Sequence, residues 1–157
     1  MLDRLRKIFS KGKPELPAEA HDFITKLAAS DIWILAIGIS GTPHIPPLND
    51  PAALDMIAAH RKELVNLSDD DSVFPFNFQR RGTQFLPFFT SEERAKYFLA
   101  NSGLGDISIF HPYCLVAGFV TSPENDIFEL LLDPCSSSER KIDPQERALL
   151  GLLTNAA

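Results

Sequence analysis

Thr83-Gln84-Phe85-Leu86-Pro87-Phe88-Phe89, followed at once by Thr90-Ser91-Glu92-Glu93-Arg94-Ala95, decides the fold. In an extended chain Phe85, Pro87 and Phe89 fall on one side and Leu86 and Phe88 on the other, so both faces are apolar, as in a strand covered on both sides. Thr90 to Glu93 has the form of a capping box, in which Thr90 accepts from the Glu93 amide and the Glu93 carboxylate reaches back. The helix so opened turns Ala95, Phe98 and Leu99 inward and ends near Gly103. A short apolar strand over 107–110 follows. Strand, helix, strand in this order predicts a parallel pair joined by a right-handed crossover.

Towards the C-terminus, His111-Pro112 opens a helix to about Val120 with Leu115, Val116 and Phe119 inward. Residues 127–132 read as a third strand of the parallel group, ended by Asp133-Pro134. A small polar loop over 135–141 leads to Asp143-Pro144-Gln145-Glu146, which opens a last, leucine-rich helix. Towards the N-terminus, Arg80-Arg81-Gly82 makes a hairpin turn. Before it, Phe74, Phe76 and Phe78 alternate with Pro75, Asn77 and Gln79; Pro75 lacks a ladder donor and favours an edge. Asp50-Pro51 opens a helix to about Leu67, with Leu54, Ile57, Ala58, Arg61 and Leu64 inward. Residues 38–49, rich in Gly and Pro, are loop. The unbroken apolar run over 32–37 predicts a strand buried on both faces. A helix over 17–29 presents Ala20, Phe23, Ile24 and Leu27 as one stripe.

The expected architecture is α/β, bordering on α+β. A single mixed sheet of about five strands has a parallel βαβαβ C-terminal part and an N-terminal hairpin or edge strand, with helices packed on it. One domain spans 17–157, after an amphipathic segment over 1–16.

The chain has 157 residues, 45% of them hydrophobic, including 12 Phe. A chain this long buries enough surface to need no metal or disulfide staple. Cys114 and Cys135 show no C-x-x-C spacing and suit a reduced cytoplasm, with a single disulfide the open alternative. No secretory segment and no apolar run of membrane-spanning length is read. Residues 1–13 hold five basic side chains against one acidic, net +4, with Leu2, Leu5, Ile8 and Phe9 at helical spacing. That pattern fits a helix resting on an anionic membrane surface, a terminal helix packed on its own domain, or a frayed tail. The other 144 residues carry ten basic and twenty acidic side chains, net −10, which argues against a nucleic-acid partner.

No strong catalytic signature is present: no P-loop, no G-x-G-x-x-G, no nucleophile elbow around Ser40, no H-E-x-x-H. The run Asp69-Asp70-Asp71 lacks the alternate-residue ligands of a calcium loop and reads as a solvated turn. No metal and no cofactor are expected. Cys114 falls in the first turns of the expected helix, where the dipole lowers a thiol pKa; buried, it is inert packing. One constellation rests on placement. Strands ending at Phe89, Phe110 and Leu132 deliver Thr90, Ser91, His111, Asp133 and Pro134 to the carboxyl ends of a parallel sheet, where ligands favour a crevice. Helix N-termini at Ser91 and Pro112 would offer amides to a small anion. The plain alternative is that Thr90 and Asp133 are only a cap and a turn.

Residues 85–95, Phe-Leu-Pro-Phe-Phe-Thr-Ser-Glu-Glu-Arg-Ala, resemble the "lPvFTseerA" segment of SseB-like proteins, and Leu131-Leu132-Asp133-Pro134-Cys135-Ser136 resembles their second signature, "vlNPgs". The likeness covers roughly residues 18–153. The chain departs at Asp133, where Asn is usual, and at Cys135, where Gly is usual. The resemblance implies an α/β domain of cytoplasmic bacterial type with no established catalysis, and some descriptions of the family add type III secretion. Three functions follow as expectations. The first is a non-catalytic binding or regulatory module for a protein or small anionic ligand, using Thr90, Ser91, His111, Asp133 and Pro134 or the hairpin tip Arg80-Arg81. The second is a small hydrolase or transferase using Cys114 or His111. The third is an adaptor on the membrane surface through residues 1–13.

Overall fold

Residues Asp31–Ile39 form β1, the strand around which the rest is built. Its alternation sends Ile32, Ile34 and Ala36 into one hydrophobic cluster and Leu35, Ile37 and Ile39 into another, so the unbroken apolar run is covered on both faces. The computed structural model describes residues 16–41 and 43–155; the basic amphipathic segment over 1–13 lies outside the described residues.

The elements run α1 (Ala18–Ala28), β1, α2 (Pro51–His60), β2 (Arg61–Lys62), β3 (Ser72–Pro75), β4 (Phe78–Arg80), β5 (Thr83–Phe89), α3 (Glu92–Asn101), β6 (His111–Val116), β7 (Glu129–Leu132), β8 (Arg140–Ile142) and α4 (Pro144–Asn155). The eight strands of the described residues join one mixed sheet, β2-β1-β5-β7-β8 with β3 and β6 also on β1 and β4 on β5. β1 is antiparallel to four partners. β5 and β6 both pair at Trp33 and Ile34 and so flank it on opposite edges, while β3 extends the β5 edge and β2 the β6 edge. β5 and β7 are parallel, with Phe88 opposite Leu132.

On one face α1 and α4 close over Ile32, Ile34, Leu86, Phe88, Leu130 and Leu132, and Ile24, Leu149 and Leu150 supply the helix side. On the other face Ile57 of α2 and Ala95 and Phe98 of α3 meet Leu35, Phe85, Phe89 and Leu131. Phe98 is central there, with ring centroids 6.0, 5.8 and 5.5 Å from Phe76, Phe78 and Phe89. Burying such a ring contributes about 1.5–3 kcal/mol.

The strand prolines fall where no donor is needed. The Phe76 amide donates to the Leu35 carbonyl, so even-numbered residues of β3 face β1 and Pro75 faces away. Pro87 turns its nitrogen to the edge where β5 changes partner from β4 to β1. By the same parity Pro112 looks outward from β6, blunting a free edge.

Several expectations are corrected. Among the described residues the sheet has eight strands rather than about five: the short β2 and β8 escape a reading based on long apolar runs, and the first strand of the hairpin is split at Phe76-Asn77 into β3 and β4. The α2 helix stops at His60: Arg61 has extended φ/ψ of −62° and 134°, and Arg61–Lys62 pairs with β1. Its buried residues are Ala53 and Ile57, while Leu54 is exposed. Residues 107–110 are a turn rather than a strand. His111–Val116 is a strand rather than a helix, followed by a 3-10 turn, Ala117–Thr121. The parallel group therefore has two strands, β5 and β7; β6 lies across β1 from both. The hydrogen-bonding edge of β1 outweighs the helical spacing of Leu115, Val116 and Phe119.

Candidate functional site

The carboxyl ends of β5 and β7 do bring Thr90 and Asp133 together, but into a latch rather than an open crevice. Asp133 has φ +47°, which turns its side chain back against β5, and it is buried to 2% exposure. Its carboxylate accepts from the Thr90 amide at 2.8 Å, the Thr90 hydroxyl at 2.8 Å and Arg94 Nη1 at 2.9 Å. Arg94 also donates to the hydroxyls of Ser136 and Ser138. An α-helix N-terminus attracts an anion. Here the chain's own carboxylate sits beside the start of α3 and meets that preference from within.

The cap itself shifts by one residue. Ser91, not Thr90, is the N-cap of α3, and its hydroxyl accepts from the Arg94 amide at 3.3 Å. Thr90 is thereby free to bind Asp133. Pro134 is buried behind the latch, and only a shallow shelf of Glu93, Arg94, Tyr97 and residues 134–137 remains outside. Sequence reasoning missed Arg94, although it stands inside the capping segment; its contact partners are about 40 residues away in sequence.

His111 is not part of this rim. It pairs with Ala36 at the start of β6, on the opposite edge of β1 and three positions along from the Trp33–Phe89 level. Its Nε2 instead accepts from Arg61 Nη2. The hairpin tip is built as expected, with Arg81 at φ +51° and Gly82 at φ +80° between Arg80 and its partner Thr83. Arg80 is pinned, donating to Glu139 at 2.8 Å and lying 5.5 Å from the Phe78 ring centroid.

The triple aspartate also divides. Asp69 and Asp70 are exposed, but the Asp71 carboxylate accepts from Lys62 Nζ, the Ser68 amide and hydroxyl, and the Gly41 amide. The Lys62 ammonium, then the Ser68 amide, hold the Asp71 carboxyl well below the usual carboxylate range. Among the described residues no group of three or more His, Cys, Asp and Glu side chains is placed to hold a metal ion. Cys114 and Cys135 are free and exposed, and Cys114 sits in mid-strand without the helix N-terminus that would activate it.

One largely apolar concavity was not foreseen. A groove of about 370 Å³ lies over the β1–β3 pair, walled by Ile37, Ile45, Ile57, Phe74 and Phe110 and by Pro46 and Pro47 of the 43–48 loop. Asn77 and Gln84 are its polar side chains, and Gln84 Nε2 donates to Asn77 Oδ1 at 3.1 Å. That bond leaves an amide N–H₂ on Asn77 and an amide carbonyl on Gln84 for a ligand. The alternation of residues 74–79 places Asn77 on the polar side, which is the one sequence signal that pointed here.

No family model matches this chain, and neither does any curated protein or solved structure. Among the described residues no helix is long and apolar enough to cross a membrane.

Proposed function

We propose that this chain is a non-catalytic binding module of a bacterial cytoplasmic protein, and that its ligand is a small, neutral, largely apolar molecule carrying an amide-like edge. The observation that carries the reading is the lining of the groove. Among the described residues it contains no acid, base, hydroxyl or thiol, only aliphatic and aromatic side chains, proline and two carboxamides. Such a lining holds a ligand and orients it, but has no group for proton transfer or nucleophilic attack. A volume of about 370 Å³ suits a small organic molecule.

An enzyme built on Cys114 or His111 is less well supported. Neither lines the groove, and the His111 imidazole is engaged by Arg61. The likeness to SseB-like proteins gains support from the backbone. Asp133 and Cys135 have φ +47° and +63°, the left-handed region where the Asn and Gly usual in that family sit at least cost. A secretion role rests on that likeness alone.

The test is a fluorescence titration with the neutral dye Nile red. One saturable site is expected, weakened at least tenfold by Leu48→Glu and by Ile45→Glu, with circular dichroism unchanged. Dye binding that survives both substitutions would remove the groove from the proposal.

A further inference from the structure

A second concavity, of about 400 Å³, opens on the β2–β6 edge of β1, where the two short pairings leave a gap at Ile37. Ile37, Leu64, Val65 and Pro112 supply its apolar walls, and Arg61 and His111 meet at it from opposite sides. Each is fixed by its strand: Arg61 lies opposite Ile39 in β2 and His111 opposite Ala36 in β6. Gly38 makes the close approach possible, since a Cβ there would stand 2.8 Å from the Lys62 carbonyl oxygen.

Lys62 is bound by Asp71, and Glu63, which also lines this concavity, accepts from the neutral Asn66 Nδ2 at 3.0 Å and keeps its charge without an ion-pair partner among the described residues. Arg80, Arg94, Arg140 and Arg147 each have a carboxylate partner. Arg61 has none among the described residues; its neighbour is a neutral acceptor, the His111 ring nitrogen. A guanidinium held by an imidazole keeps its full charge and most of its five N–H donors. Apolar walls strengthen any anion contact made beside them.

We infer that Arg61 is the ligand-contacting residue of an anion site that takes a carboxylate or phosphate group through the guanidinium fork, with His111 as the residue that positions it. The site is separate from the apolar groove and stands whether or not that groove binds a ligand.

The experiment is a two-dimensional NMR titration of the full chain at pH 7.0 with sodium phosphate and, separately, sodium acetate, at ionic strength held constant with sodium chloride. Saturable shifts confined to residues 37–38, 61–65 and 111–112 are expected with at least one of the two anions. Which anion saturates assigns the group. Arg61→Gln should weaken the fitted affinity at least tenfold, and Arg61→Lys less, because it keeps the charge but not the fork. His111→Ala should weaken it about fivefold. His111→Gln, which restores an acceptor for the guanidinium, should return it to within about twofold. Linear, non-saturating shifts with both anions would overturn the inference, and so would equal affinities for the wild type and Arg61→Gln.

Discussion

Thr90 gives both its backbone amide and its hydroxyl to Asp133, one to each carboxylate oxygen, each at 2.8 Å. This two-pronged contact joins the ends of two parallel strands whose residues are 43 positions apart. Arg94 completes it from α3, so one buried carboxylate ties strand, strand and helix together.

Loss of that carboxylate is costly. Asp133→Ala removes the acceptor of three donors and places Ala in the left-handed region, and we expect about 3 kcal/mol of destabilisation. Asp133→Asn keeps one acceptor oxygen and a residue that tolerates positive φ, and should cost about 1 kcal/mol. Urea unfolding of the two variants measures the difference; equal losses would show that the carboxylate does not hold the strand ends.

Cys135 carries a strain that glycine relieves. At φ +63° Cys135→Gly should stabilise the fold by about 0.5 kcal/mol, whereas Cys135→Ala should leave it nearly unchanged. Thermal melts under reducing conditions compare them, and a Gly variant that melts below the Ala variant contradicts the backbone reading.

Acid should weaken the fold through Asp71. Its folded-state pKa lies well below the ordinary 3.8, so its contribution is complete above that value and is lost as pH falls from it towards the lower folded value. The stability gap between wild type and Asp71→Asn should therefore be constant above about pH 5 and narrow progressively below about pH 4. Glu146 has the opposite sign. Burial first, and Asp143 second, raise its pKa above 4.5 despite the Arg140 guanidinium. Its contribution is complete below 4.5 and is lost as pH rises through the higher folded value. Relative to wild type, Glu146→Gln should then gain stability from pH 4 to 7. Parallel stability curves for wild type and either variant would rule out the corresponding assignment.

Gly38→Ala should cost about 2 kcal/mol, because the new methyl must displace the Lys62 carbonyl. Since β2 carries Arg61, the same substitution should weaken phosphate or acetate binding at that edge. Unfolding and NMR titration of one sample test both effects. An unchanged midpoint would mean that β2 yields freely.

Much of this fold is legible in local sequence. Asp50 accepts from the Ala52 amide and Asp143 from the Gln145 and Glu146 amides, as their positions before Pro51 and Pro144 imply. The alternation of Phe74, Phe76 and Phe78 places all three with one cluster. Residues 111–116 mislead because His-Pro followed by apolar residues at helical spacing satisfies a helix as well as a strand. The anion crevice misleads because a capped helix beside a strand end looks vacant until Asp133 is found buried against it.

The chain alone determined which segments are apolar on one side or both, where the helices at 18, 51 and 144 begin, and where the hairpin turns at Arg81 and Gly82. Those properties depend on side-chain volume, φ/ψ preference and neighbouring donors, all of which act over a few residues. Only the tertiary structure decided that residues 111–116 extend along β1, that Arg94 reaches Asp133, and that Arg61 meets His111. Each of these depends on a partner tens of residues away, whose free edge or unsatisfied charge supplies the free energy that local preference leaves undecided.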